Sequence, residues 1–180
     1  MNSEFSKAIR NQGDQIAYDH GQWEFQSRQL AYSACHLLKE HIKMMERGAY
    51  EGIALLPTSQ FLISLAIELI CKAYYLKLGI GKREEIYKHD VLDLCQGILF
   101  SVRQKELMAL AESNVIWAGR YPTPKWTKEK FKEDYDVPSK LIDGVEYLDA
   151  YKMKNSSSPK RVEELIELYS YLKESWKNIT

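Results

Sequence analysis

Four polar side chains recur at helical spacing inside the most apolar stretch of the sequence. Gln60, Ser64, Glu68 and Lys72 are each four residues apart within residues 57–78, so in a helix they would share one face. Charged groups are costly to bury unless each has a partner. This polar stripe therefore predicts either an internal ion pair that anchors helix packing or the polar floor of a cleft that binds a nucleotide or phosphate.

A histidine and an aspartate form the second candidate group. His89 and Asp90 come directly before a third apolar pattern that begins at Val91. Imidazole exchanges protons near neutral pH, so His89 could act as a general acid or base. It could equally bond to Glu68, while Asp90 caps the following helix by accepting its first amides. We expect Glu68 and Lys72 to face His89.

Arg83 precedes His89 in a charged loop, with five residues between them. An arginine that holds phosphate and a histidine that moves protons would suit metal-independent RNA cleavage. Arg83 and His89 are therefore the candidate catalytic residues. The same short spacing also arises by chance, which leaves a structural role open for both.

The stretch 117–126 interleaves aromatic, basic and proline residues. Trp117 and Tyr121 could stack on bases while Arg120 binds phosphate, or the same side chains could fix the loop to the core. The sequence contains no motif of P-loop nucleotide hydrolases, serine hydrolases or zinc proteases. We predict neither a metal site nor a cofactor.

Helices are expected to position these residues, because no strand-period alternation stands out. The predicted helices are 27–46 with Ser27 as N-cap, 57–78 ended by Gly79, a third from Val91 that Gly97 could interrupt, and 160–177. Prolines at 122 and 124 end helical structure there. The predicted fold class is all-α, a helical bundle of four principal helices with a long irregular insertion, about 117–159, before the last helix.

Length and composition set the wider limits. The 180 residues suit one domain, 1–180, with a core of about 27–112 plus 160–177. Basic and acidic residues number 25 each, so no global field attracts nucleic acid, although a local patch could. Three cysteines without CxxC spacing predict free thiols in a reducing compartment. Charges inside the apolar run disfavour a membrane span, so we predict a cytoplasmic protein.

Two segments of the chain together resemble a known family. Glu68-x-x-x-Lys72-Ala, followed after a loop by His89-Asp90-Val91, resembles HEPN domains, the helical bundles named for higher eukaryotes and prokaryotes nucleotide-binding. Many HEPN domains have Glu-x-x-x-Lys-Ala and then His-Asp-Leu, so Val91 stands here in place of leucine. The resemblance covers roughly residues 27–112 and extends to the last helix.

The resemblance implies an all-α bundle, often a homodimer, in RNA metabolism, antiviral defence or toxin–antitoxin pairs. We therefore predict a HEPN-like module that binds a nucleotide or RNA and pairs with a protein such as an antitoxin. Its predicted pocket comprises Glu68, Lys72, His89 and Asp90, with Trp117, Arg120 and Tyr121 at the rim. The alternatives are a metal-independent HEPN ribonuclease that uses Arg83 and His89, and a non-catalytic protein-interaction domain.

Overall fold

The computed structural model describes residues 17–79, 83–87, 89–115, 139–142, 145–148 and 157–179. Trp117, Arg120 and Tyr121 lie outside these residues. The described elements are helices α1 (His20–Glu46), α2 (Leu55–Leu78), α3 (Val91–Leu94), α4 (Val102–Ser113) and α5 (Pro159–Lys177), strands β1 (Ser139–Ile142) and β2 (Val145–Leu148), and 3₁₀ turns Tyr50–Ala54 and Arg83–Tyr87. The predicted all-α class is confirmed.

Helix α2 lies at the centre of the described fold. It contacts each of the other four described helices, most extensively α1 and then α5. Residues 66–75 are all buried, because the sequence there is apolar on every side except the polar stripe. Gly79 ends the helix as predicted, in the left-handed conformation (φ 64°) that glycine adopts without steric cost. The central position of α2 explains why its few polar groups need protein partners.

Helix α1 begins earlier than the sequence predicted. Asp19, not Ser27, is the N-cap, and its Oδ1 accepts a hydrogen bond from the Gly21 amide at 2.8 Å. Ser27 is instead fully buried inside α1, where its hydroxyl donates to the Glu24 carbonyl and lies 3.3 Å from the hydroxyl of Tyr169 in α5. A serine can satisfy itself in this way within a helix, so its side chain did not mark a helix start.

The third predicted helix is divided in two. Asp90 caps α3 as predicted, since its Oδ1 accepts from the Asp93 amide at 3.2 Å, but α3 has only four residues. Gly97 then turns the chain in the left-handed region (φ 87°). Ser101 starts α4 with a reciprocal capping box to Gln104. The arrangement of four principal helices in a bundle stays a prediction.

The sequence predicted an irregular insertion, but part of the insertion forms two strands. Strands β1 and β2 pair antiparallel, with Ser139 opposite Leu148 and Ile142 opposite Val145. Ile142 in β1 and Val145 and Tyr147 in β2 are residue types that favour pleated structure. Asp143-Gly144 between them is a strong sequence signal for a hairpin, and the interpretation of this stretch overlooked it.

By length and composition, one described segment could cross a membrane. The segment Tyr50–Leu78 has a mean hydropathy of 1.8 in its most apolar window, and 56% of that window is buried in the protein. A core helix of a soluble protein satisfies the same criterion, so the predicted cytoplasmic localisation and the absence of a membrane span stay predictions.

Candidate functional site

Glu68, Lys72 and His89 converge on a single carboxylate. The Lys72 ammonium donates to Glu68 Oε1 at 2.5 Å, and His89 Nδ1 lies 3.1 Å from both Glu68 oxygens. Glu68 is only 3% exposed, and these two cationic or proton-donating partners compensate its burial. The predicted convergence is confirmed as geometry, while the function of these residues stays a prediction.

The Glu68 carboxylate also fixes the tautomer of His89. A carboxylate that is paired with an ammonium only accepts hydrogen bonds, so His89 Nδ1 must carry the proton that it shares with Glu68. In the neutral ring, Nε2 then holds the lone pair. The His89 side chain is 36% exposed, which allows a ligand to approach it. This arrangement leaves His89 able to accept a proton or a hydrogen bond.

Trp23 of α1 contacts the same ion pair, which the sequence did not indicate. The Lys72 ammonium lies 5.3 Å from the centroid of the Trp23 ring, within the range of a cation–π interaction. The Trp23 indole donates from Nε1 to the carbonyl of Ala17 at 2.7 Å. Because Trp23 and Lys72 are far apart in the sequence and lie on different helices, only the packing of α1 on α2 brings Trp23 to the site.

Glu112 of α4 is a second residue that the sequence reading missed. Burial raises the pKa of the Glu112 carboxyl, and the negative charges of Asp90 and Glu68 raise it further. A hydrogen bond from the Val91 amide and the nearby His89 act in the opposite direction. Glu112 therefore lies in the electrostatic surroundings of His89, beside the start of α3.

The described surroundings of His89 are acidic. Asp90 is exposed and belongs, together with two further carboxylates, to the lining of an adjoining cavity of about 80 Å³, formed by Tyr75, Glu85, Asp90, Asp93, Leu94 and Gln96. Carboxylates repel phosphate groups but accept hydrogen bonds from amino groups. This part of the site thus favours ligand groups that donate hydrogen bonds over phosphate.

Arg83 lies at the start of a 3₁₀ turn that is anchored to the core. Ile86 in this turn is fully buried, and the Tyr75 hydroxyl of α2 donates to Glu85. The charged loop of the sequence prediction is therefore tied to α2 at this point. The Arg83 side chain lies outside the described part of the structure, so its proximity to His89 stays a prediction.

The other half of the polar stripe bonds to Asn114, the C-terminal cap of α4. Gln60 Nε2 donates to Asn114 Oδ1 at 3.3 Å, and Asn114 Nδ2 donates to the Ser64 hydroxyl at 3.0 Å. Ser64 in turn donates to the Gln60 carbonyl at 2.8 Å. All three residues are buried, so this half orders the packing of α2, whereas the half with Glu68 reaches the surface through His89.

The described cysteines are free thiols. Cys71 and Cys95 are buried and Cys35 is half-buried. Burial raises the pKa of the Cys71 thiol well above its usual value, and the adjoining Cys95 adds to this effect. Among the residues that the structure describes, histidine, cysteine and carboxylate side chains form no cluster that could hold a metal ion.

Comparison with known proteins found no match. No protein-family model matches the chain, and neither a curated protein nor a solved structure does.

Proposed function

We propose that this protein is a HEPN-like module that binds a nucleotide or RNA at the surface around His89, in an antiviral defence or toxin–antitoxin system. The observation that supports the proposal is the meeting of the two resembling segments. Glu68 and Lys72 from α2 and His89 from the start of α3 share one carboxylate. That carboxylate orients an imidazole that a ligand can reach.

The chemistry of the described surface favours the base over the phosphate as the group next to His89. Asp90 and Glu112 can accept hydrogen bonds from the exocyclic amino groups of bases, and His89 Nε2 can accept another. Cations supply the main attraction for phosphate groups, and Arg120 is the candidate for this contact in the proposal. A ligand would thus place its base against the acidic surface and its backbone towards the predicted loop.

Binding is tested with fluorescently labelled single-stranded RNA of mixed sequence and with free nucleotides, by anisotropy and thermal shift. The His89→Ala variant should bind at least about tenfold more weakly, a loss of about 1.4 kcal/mol. His36→Ala, an exposed histidine of α1, is the matched control and should bind like the wild type. Equal binding by wild type and His89→Ala, or no binding by the wild type, would contradict the proposal.

A metal-independent ribonuclease is the second candidate, and the tautomer of His89 favours it. A histidine that donates from Nδ1 to a carboxylate presents Nε2 as a base. His89 would accept the proton of the RNA 2′-hydroxyl as that oxygen attacks the phosphorus, while Arg83 would bind the phosphate charge. The bond from phosphorus to the 5′-oxygen would break, the 5′-oxygen would leave with a proton from water, and a 2′,3′-cyclic phosphate would remain. Cleavage in EDTA that both His89→Ala and Arg83→Ala abolish would support it, and intact RNA with the wild type would exclude it.

A protein-interaction role is the remaining candidate, and an exposed apolar loop favours it. In the loop 98–101, Leu99 is 89% exposed, and Val102, the first residue of α4, is 77% exposed. The hydroxyl of Tyr171 holds the Leu99 carbonyl at 2.9 Å, so the loop is anchored to α5. Self-association measured by light scattering, with Leu99→Ser as the variant, tests the proposed homodimer. A monomeric wild type would leave a different protein, such as an antitoxin, as the proposed partner.

A further inference from the structure

We propose that Trp23 is a positioning residue for His89, acting through Lys72 and Glu68. The described contacts form one continuous chain from the indole ring to the ammonium, from the ammonium to the carboxylate, and from the carboxylate to the imidazole. Only the expected effect on RNA binding rests on the proposed function. The geometric claim stands independently of any ligand.

The first step concerns the Lys72 ammonium. Its side chain is only 7% exposed, so water cannot supply all the partners that three N–H donors require. Glu68 Oε1 satisfies one side of the ammonium, and the Trp23 ring lies 5.3 Å away on another. A cation over an indole ring is stabilised most strongly where water is excluded. Trp23 therefore restricts where the ammonium can lie.

The second step concerns the plane of the Glu68 carboxylate. Lys72 contacts Oε1 alone, whereas His89 Nδ1 is equidistant from Oε1 and Oε2 at 3.1 Å. A displaced ammonium would pull Oε1 with it and rotate the carboxylate away from this symmetric position. The His89 ring would then lose the acceptor that keeps its proton on Nδ1. The position of Lys72 thus controls the tautomer of His89.

The third step concerns what fixes Trp23. Its indole N–H donates to the Ala17 carbonyl at 2.7 Å, and the residue lies in the second turn of α1, which Asp19 caps. Through these contacts, the beginning of α1 is therefore connected to the site around Glu68. A change in the chain just before α1 would reach His89 by this path.

Two substitutions and a control separate the ring from the hydrogen bond. Trp23→Phe keeps an aromatic face for Lys72 but loses the N–H, and Trp23→Leu loses both. Phe25→Leu is the matched control, because Phe25 lies on the same helix with Arg28 5.6 Å from its ring, away from Lys72. Global replacement of tryptophan by fluorinated tryptophan weakens the ring's attraction for cations without leaving a cavity, in case Trp23→Leu does not fold.

The readout is the protonation pattern of the imidazole nitrogens in nitrogen-15 NMR spectra, with His89 assigned by His89→Gln. The wild type, Trp23→Phe and Phe25→Leu should show His89 protonated at Nδ1, and Trp23→Leu should lose that pattern. His41 is the internal reference, because its Nδ1 donates to the Gly52 carbonyl at 2.8 Å, far from Trp23 in the sequence. Its pattern should persist in every variant, and fluorination should weaken only the His89 pattern.

An unchanged His89 pattern in Trp23→Leu, or in the fluorinated protein if that variant does not fold, would overturn the inference. RNA affinity provides the second readout: Trp23→Leu should bind about fivefold more weakly and Trp23→Phe nearly normally. If the wild type binds no RNA, the proposed function fails while the NMR result still decides the role of Trp23.

Discussion

Glu68 is the residue on which the described site depends. Its carboxylate is buried and receives hydrogen bonds from both Lys72 and His89. Because two groups share this acceptor, removing one of them alters the position of the other. Stability and the proposed function are therefore coupled at this residue, and substitutions at its partners should affect both.

Substituting Lys72 by methionine should strongly destabilise the protein. The change leaves the Glu68 charge buried without its ammonium, which costs about 3–5 kcal/mol of unfolding free energy. His89 offsets part of this cost, so we expect a loss near the lower end. Urea denaturation followed by circular dichroism measures it.

The matched control for that prediction is the double variant Glu68→Leu/Lys72→Met. Replacing a whole buried ion pair by apolar side chains is often close to neutral, so the double variant should be more stable than Lys72→Met alone. A double variant that is less stable than the single one would contradict this account of the pair.

Substituting Glu112 by glutamine should stabilise the protein at alkaline pH. Burial and the charges of Asp90 and Glu68 raise the pKa of this carboxyl. A group whose pKa is raised on folding destabilises the folded state once the pH exceeds that pKa, and has no such effect below its ordinary pKa. Glutamine still offers an oxygen to the Val91 amide. Glu112→Gln should therefore melt higher than the wild type at about pH 8 and equally at about pH 4.

Thermal denaturation at both pH values tests the prediction for Glu112. The control is Glu51→Gln, at an exposed position in the 3₁₀ turn Tyr50–Ala54. Glu51→Gln should leave the melting temperature nearly unchanged at each pH. A Glu112→Gln protein that melts lower than the wild type at alkaline pH would show that the carboxylate stabilises the fold.

At the scale of single residues, the sequence predicted those contacts that follow from regular spacing within a helix. Glu68 and Lys72 are four residues apart in one helix, and both were expected to face His89. Trp23 and Glu112 could not be predicted, since each reaches the site from a separate helix, and their distances depend on how α1 and α4 pack on α2.

At the scale of elements, Gly97 determines where α3 stops and α4 can begin. Its φ of 87° lies in the left-handed region, and a Cβ there would meet only the Tyr74 hydroxyl at 3.8 Å. Backbone conformation, and not space, is therefore what requires glycine. Gly97→Ala should lose about 1–2 kcal/mol of unfolding free energy.

Gly97→Asn is the comparison for that prediction, because asparagine enters the left-handed region more readily than alanine. Denaturant unfolding should rank the wild type first, then Gly97→Asn, then Gly97→Ala. Equal losses of unfolding free energy in the two variants would indicate that the added side chain, and not the backbone angle, destabilises the protein at position 97.

The element boundaries were predicted well where a single residue type determines them. Gly79 ends α2 and Asp90 caps α3 as expected, and α5 begins at Pro159, one residue before the predicted start. The start of α1 was wrong because two residues, Asp19 and Ser27, could each cap a helix, and only packing against α5 shows that Ser27 is interior. The strand pair was missed because each strand has only four residues, too few to show a clear alternation.

At the scale of the whole molecule, the balance of charge limits how RNA could bind. The chain has 25 basic and 25 acidic residues, and the described surface near His89 is acidic. If the proposed binding depends on base contacts there, few phosphates are neutralised and few counterions released. Affinity for single-stranded RNA should then fall less than about tenfold between about 50 and 200 mM salt.

Anisotropy titrations across that salt range test this prediction. A loss of about a hundredfold or more would mean that several lysines and arginines contact phosphate together. The ligand would then be held mainly by its backbone, and the proposed base contacts at His89 would be secondary. Arg120→Ala is the informative variant, since it should flatten the salt dependence in proportion to its share of the phosphate contacts.

The all-α class was predictable because long apolar periodicity dominates the segments that form the described helices. The way the helices surround α2 was not, since spacing within a helix does not say which neighbour covers which side. The environment of His89 was unpredictable for the same reason. Residues from α1, α2 and α4 contribute to it, and no local sequence pattern indicates that these residues come together.

The position of α5 has a consequence for how the protein is made. Val162, Leu165 and Leu172 are buried in the core, and α5 packs on α2 although the insertion separates them in the sequence. On the ribosome, α2 therefore emerges long before the helix that covers it. Until α5 is translated, an apolar side of α2 stays open to water, and a nascent chain in that state is prone to aggregate or to recruit chaperones.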